Sequence, residues 1–207
     1  MAHSSPTAAV GRLSRWLAAL LLLSLLGLPS YADENKLWLA GNYSFSDELG
    51  GFKILRVTGL GTPEDPIVID EELFSASPVT LVIRARGKAA APGDAGSLST
   101  SALHLKFNIT NAGAQGWLEF QFELQEILGR SSIFSDGLSF DQKRESSGAI
   151  RSDVFARFSR DFEPYDQLRF TDGKVDSRET ASFDFALTDF TPRWTFYVVQ
   201  DPRIPLS

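Results

Sequence analysis

Apolar residues recur at every second position along most of the chain, the period that puts alternate side chains on opposite faces of a β-strand. The clearest run is 118–124. Leu118, Phe120, Phe122 and Leu124 alternate with Glu119, Gln121 and Glu123. Leu103, Leu105, Phe107 and Ile109 alternate with His104, Lys106 and Asn108 in the same way. So do Val79, Leu81, Ile83 and Ala85 with Thr80, Val82, Arg84 and Arg86. Two further runs lie near the C-terminus. Phe183, Phe185 and Leu187 share one face, and Trp194, Phe196 and Val198 share another, which predicts a core position for Trp194. Shorter strands are predicted at 52–58, 67–70, 154–159 and 167–170.

Turn-forming residues separate these runs. Segments 59–66 and 111–116 each predict a hairpin loop, and Asp172-Gly173 predicts a tight turn with glycine at positive φ. No segment past residue 32 holds a long helical period, and 124–128 predicts at most one helical turn. Many short strands with one apolar face each predict an all-β fold, a single antiparallel β-sandwich or barrel-like domain. One face of each strand then meets water. Two long polar loops, 87–100 and 141–152, interrupt the pattern.

The N-terminus is built differently. Arg12 and Arg15 precede an apolar run from Leu17 to Leu28, Pro29 ends it, and Ser30-Tyr31-Ala32 offers small residues around a cleavage point. Charge, apolar stretch and small-x-small form the pattern of a secretory leader. The run is shorter than the roughly 20 residues a membrane-spanning helix needs. The expectation is a helical signal peptide at 1–32, a β-rich exported domain at 33–207, and a periplasmic or extracellular destination. No stable membrane span is expected after cleavage.

Composition narrows the chemistry. The net charge is −6. The leader removes two arginines and no acid, so residues 33–207 are more acidic still. Such a surface repels polyphosphate, which argues against a nucleic-acid partner. The chain has no cysteine, so disulfides, redox pairs, cysteine nucleophiles and a lipoprotein anchor are excluded. His104 is the only histidine past the leader, and no Gly-x-Ser-x-Gly elbow or Ser-x-x-Lys motif surrounds a serine. These absences weaken serine catalysis and zinc or copper binding. No cofactor is expected, and no residue set stands out as catalytic or metal-binding. Asn42-Tyr-Ser and Asn108-Ile-Thr fit the glycosylation acceptor pattern, which chance also produces.

One phrase has a counterpart elsewhere. Gly59-Leu-Gly-Thr-Pro-Glu-Asp-Pro-Ile-Val-Ile69 resembles the G-x-G-T-x-x-D-P-x-x-I opening of some bacterial surface and secreted proteins. The resemblance is confined to this segment and implies a hairpin rather than an activity.

Three functions from different classes stay open. The first is an exported, non-enzymatic binding or envelope-structural domain whose partner is a protein, a small molecule or a glycan. If 102–110 and 116–125 pair as a hairpin, Lys106 faces Glu119 or Gln121, and His104, Lys106, Glu119, Gln121 and Glu123 form one concave or solvated face. Trp38, Trp117, Trp194 and Tyr197 are candidates for stacking on a sugar or a partner. The second is a secreted polysaccharide hydrolase using paired carboxylates. It requires a cleft with two neighbouring carboxyl groups, one with a raised pKa. The third is a calcium-stabilised surface module built on Glu64, Asp65, Asp70, Glu71 and Glu72 or on Asp172, Asp176 and Glu179, although neither group has EF-hand spacing.

Overall fold

A computed structural model describes Met1 and residues 36–86, 102–134, 136–140, 150–189 and 193–204. The chain divides into two units, Met1–Glu34 and Asn35–Ser207. The leader at 1–32, the loop 87–100 and most of the loop 141–152 lie outside the described residues, and the expectations placed on them stand as expectations.

Among the described residues there are thirteen strands and no helix. They are β1 (Trp38–Ala40), β2 (Tyr43–Ser46), β3 (Phe52–Thr58), β4 (Ile67–Leu73), β5 (Val79–Ala85), β6 (Leu103–Asn111) and β7 (Glu119–Gln125). Then follow β8 (Leu138–Phe140), β9 (Arg151–Ser152), β10 (Arg157–Ser159), β11 (Gln167–Thr171), β12 (Thr180–Asp189) and β13 (Thr195–Arg203). One sheet has seven strands in the order β1-β2-β5-β13-β7-β11-β10. The other runs β3-β4-β6-β12-β8, with β9 also paired to β12. Among the described residues both sheets have free end strands, which gives a sandwich-like, two-sheet all-β fold.

Alternation sets which side chains meet between the sheets. Phe120, Phe122 and Phe170 come from the seven-stranded sheet, and Phe107, Phe140, Phe183 and Phe185 from the other. Their rings interdigitate. Phe122 lies 4.8 Å from Phe185 and 5.3 Å from Phe107, while Phe183 lies 4.7 Å from Phe120 and 4.9 Å from Phe170. These tilted and edge-on contacts suit the ring quadrupole.

The 59–66 segment is the hairpin loop between β3 and β4, as its glycines predict. Gly59 and Gly61 have φ of +96° and +86°, and the amides of Leu60, Gly61 and Thr62 all donate to the Asp65 carbonyl, at 3.2, 2.9 and 3.1 Å.

The structure departs from the sequence reading at several places. Not every strand pair is antiparallel. β4 and β6 run parallel, with Ile67 opposite Leu105 and Leu73 opposite Asn111. Between them the chain crosses to the other sheet, forms β5 and returns, and two reversals restore the original direction. Segment 111–116 is likewise a crossing and not a hairpin, because β6 and β7 belong to different sheets. Asn111 holds this crossing. Its amide nitrogen donates to the carbonyls of Gln115 (2.8 Å) and Val175 (3.2 Å), and its amide oxygen accepts from Gly113 N (3.0 Å).

Alternation also slips by one residue before β7. Trp117 and Phe120 both point inward, which leaves Leu118 exposed. At Asp172-Gly173 the positive φ, +57°, falls on Asp172. Gly173 is required instead by packing, because a Cβ there would press on Phe155 and the Val154 carbonyl. Trp194 is 55% exposed rather than buried. It precedes β13, where its carbonyl accepts from the Ala85 amide (3.0 Å) at the strand end. Residues 124–128 form no helical turn; the strand runs to Gln125 and a bridge joins Ile127 to Arg130.

Candidate functional site

The outer face of the seven-stranded sheet carries a ladder of polar side chains across β11, β7 and β13. Register sets its rungs. Gln121 lies opposite Arg169 on one side and Asp201 on the other, while Glu123 lies opposite Gln167 and Val199, and Glu119 opposite Arg203. Each residue sits on the outer face because its strand neighbours, Phe120, Phe122, Leu168, Phe170, Gln200 and Pro202, turn inward.

Two guanidinium groups converge on one neutral oxygen. Arg169 donates from Nε (3.1 Å) and Nη2 (3.0 Å) to Gln121 Oε1, and Arg203 Nη1 donates to the same atom at 3.1 Å. Gln121 is only 8% exposed despite facing outward. The Arg169 guanidinium lies over the Phe162 ring, 4.7 Å from its centre, which fixes the plane of the fork. Glu123, one rung along, is tied to Gln125 (2.7 Å) and Gln167 (2.6 Å).

Above these groups opens a cleft of about 700 Å³, lined by Arg169, Asp201, Arg203, Glu119 and Gln115, with Ser75–Ser77 at one wall. Its size is that of a small-molecule site. Asp201 Oδ2 lies 3.3 Å from Arg203 Nε. Half-burial raises the Asp201 carboxyl above the ordinary aspartate range. Arg203 and Arg169 act in the opposite direction, and Glu123 adds to the rise.

Of the five residues expected to share a face, the structure brings together Glu119, Gln121 and Glu123 and separates the other two. His104 and Lys106 lie on the other sheet, opposite Ala186 and Asp184. There the outer face is a solvated ladder. Arg56 pairs with Asp70 (2.7 Å), Asp70 accepts from Asn108 (2.7 Å), and Asn108 accepts from Ser182 (2.9 Å). The Asn108 amide nitrogen is thereby occupied.

The proposed calcium clusters are divided by the same geometry. On β4, Asp70 and Glu72 face outward while Glu71 is fully buried, and Glu64 and Asp65 lie in the β3–β4 loop. Asp172 pairs with Arg157 (3.0 Å), Asp176 pairs with Lys174 (2.8 Å), and Glu179 accepts from the Asp176 amide (2.9 Å). Among the described residues no group of three or more acidic or histidine side chains is placed to hold a metal ion. None of the four aromatic candidates lines the cleft. Trp117 is buried, Trp38 lies under the Lys36 ammonium at 3.7 Å, Trp194 is exposed, and Tyr197 is half-buried on β13.

Two interior acids have strongly displaced pKa values. Burial pushes Glu71 up to about 8, and the nearby Asp47 adds to the rise. Gln200 faces it from the opposite sheet, close enough to favour the charged form yet outside good hydrogen-bond geometry. Burial likewise pushes Asp166 up to about 7, with a further push from Asp136, against hydrogen bonding from Ser139 Oγ at 3.4 Å. Both residues are closed off from solvent, so neither reaches a ligand in the cleft. A second cavity, of about 140 Å³, lies beside Glu126, Asp136 and Arg193, and the 2.7 Å Arg193–Glu126 ion pair occupies its wall.

Sequence reasoning did not single out Arg169, Asp201 or Arg203. Their positions in alternating runs mark them as outward-facing, but nothing local says that β11 and β13 flank β7. No protein-family model, curated protein or solved structure matches the chain.

Proposed function

We propose that this is an exported, non-catalytic binding domain whose ligand seats in the cleft over Arg169, Gln121 and Arg203. The observation that carries the reading is the convergence of two guanidinium groups on one neutral carbonyl oxygen beneath an open cleft. A neutral acceptor leaves cationic donors poorly compensated, and charge-assisted hydrogen bonds are the stronger kind. The leader-like N-terminus and the poverty of nucleophiles and bases support export and binding over catalysis. The test is a nuclear magnetic resonance screen of the purified protein against neutral and acidic saccharides, amino acids and short peptides. The expected result is movement of the side-chain signals of Gln121, Arg169 and Arg203 by at least one member. Ligands that perturb only other surfaces would overturn the reading.

A specific observation also favours a second reading, a glycoside hydrolase. Glu119 and Asp201 both line the cleft, and the register makes them diagonal neighbours on adjacent strands. Diagonal positions stand about 7–8 Å apart at the backbone, from which two carboxylate side chains can reach the roughly 6.5–9.5 Å carboxyl spacing of inverting glycosidases. Half-burial raises the Asp201 carboxyl, as a general acid requires. This reading expects release of reducing ends from a polysaccharide and its loss in both Asp201→Asn and Glu119→Gln. Binding without turnover in the unmodified protein rejects it.

A further inference from the structure

We infer that the ligand of this cleft is a polyhydroxylated monocarboxylate, of the uronic-acid kind, whose carboxylate lies between Arg169 and Arg203 in place of the internal contacts to Gln121 and Asp201. This inference rests on the binding reading above and names its ligand class.

The first support is a mismatch of donors and acceptors. Gln121 Oε1 receives three N–H donors from two arginines, whereas an amide oxygen has two lone pairs. A carboxylate offers about four acceptor sites and the opposite charge, and its planar, two-oxygen shape matches a guanidinium fork. The second support is charge. Among the described residues Arg169 forms no ion pair, and its position over Phe162 orients it without neutralising it. Arg203 has Asp201 as its partner, at 3.3 Å, and burial disfavours the charged form of that aspartate. Exchanging a half-buried aspartate for a ligand carboxylate that also reaches Arg169 improves the compensation of both cations.

The third support sets the ligand's charge and the rest of its chemistry. Glu119 and Asp201 share the cleft with the two arginines, and the protein is acidic overall. A doubly charged phosphate would meet repulsion that a single carboxylate largely avoids. Carboxylates accept hydrogen bonds from hydroxyl groups, so the same two acids suit a hydroxylated body attached to the ligand's carboxylate. The cleft volume exceeds what a lone small anion fills.

Asp201 is then an internal competitor for Arg203. The charged groups that face it are Arg203 on its own strand, Glu119 and Glu123 on β7, and Arg169 on β11 beyond. On its other side the sheet ends at Val79, and the wall Ser75–Ser77 carries no titratable group. Removing the Asp201 charge frees Arg203 for the ligand.

The experiment is a calorimetric titration of the protein at pH 7 with D-galacturonate and with D-galactose, which differ at the carboxylate. Galacturonate is expected to bind at least about tenfold more tightly than galactose, the scale of a charged hydrogen-bonded contact. Arg169→Ala is expected to remove that preference. Asp201→Asn, a near-isosteric change, is expected to tighten galacturonate severalfold by removing the charge that competes for Arg203. Equal affinities for the two sugars, with the cleft signals moving, would overturn the carboxylate assignment and leave the binding reading intact. Weaker galacturonate binding by Asp201→Asn, or saturation by neither sugar, overturns it too. A binding reading that is itself wrong shows differently: no member of the wider screen moves the cleft signals.

Discussion

At Gly59 the backbone has φ of +96°, and a Cβ would overlap the Pro66 carbonyl oxygen. Both the dihedral angle and the contact exclude a side chain, so Gly59→Ala is expected to destabilise the protein by about 2–4 kcal/mol, read from urea midpoints. Glu71 has the opposite character, since the fold tolerates it only at a cost. Its pKa rises from an ordinary 4.5 to about 8 in the folded protein. Stability is therefore greatest below the unfolded value and is lost as pH rises through the folded one. At pH 7 the displaced ionisation corresponds to about 3 kcal/mol. Glu71→Gln keeps the shape, removes the ionisation and gives Gln200 an amide partner. The variant is expected to be more stable than wild type by roughly that amount at pH 7 and nearly equal to it at pH 4; a loss of stability at pH 7 would contradict this account.

Elements divide into those whose neighbours matter and those whose own pattern suffices. β6, β7, β12 and β13 were legible because alternation over 118–124 or 103–109 needs no partner to be recognised. The pairing of β7 with β11 and β13 was not legible, since alternation is the same whichever strand lies alongside. That is why Glu119, Gln121 and Glu123 were recognisable as one polar face while Arg169, Asp201 and Arg203 were missed, and why His104 and Lys106 were grouped with the wrong sheet. Trp194 shows the same limit at a strand end, where period continues in the sequence after burial has stopped. The inward face of β7 lies at the centre of the aromatic cluster. Phe122 contacts rings from β6, β11 and β12, including Phe107, Phe170, Phe183 and Phe185. Phe122→Ala is expected to cost about 3–5 kcal/mol, measured by chemical denaturation. Phe158→Ala, at a partly exposed edge position, is expected to cost less than a third of that.

Over the whole molecule, the buried acids set how stability responds to pH. Glu71 and Asp166 both have pKa values raised by folding, to about 8 and about 7. For each, the folded form holds its proton more tightly than the unfolded chain, so stability falls with pH between the ordinary carboxylate range and those values. The melting temperature is expected to decline from pH 5 to pH 8. In the double variant Glu71→Gln/Asp166→Asn most of that decline should disappear, and an unchanged slope in scanning calorimetry would refute the assignment. Asp70 and Asp184, each bonded to an arginine (Arg56 and Arg151) and partly exposed, lie in a solvated ladder where ion pairs contribute little.

The parallel pair β4–β6 works like a lock-stitch. The thread of the chain leaves one layer after β4, is caught in the opposite layer as β5, and comes back to lie beside the strand it left. Neither layer can be finished or peeled away while the other is absent. Unravelling should therefore be all-or-none, and assembly slow for a chain of this length, because the seam joins residues far apart in sequence. Amide hydrogens of β4, β5 and β6 should exchange with one common opening free energy, although they belong to two different layers.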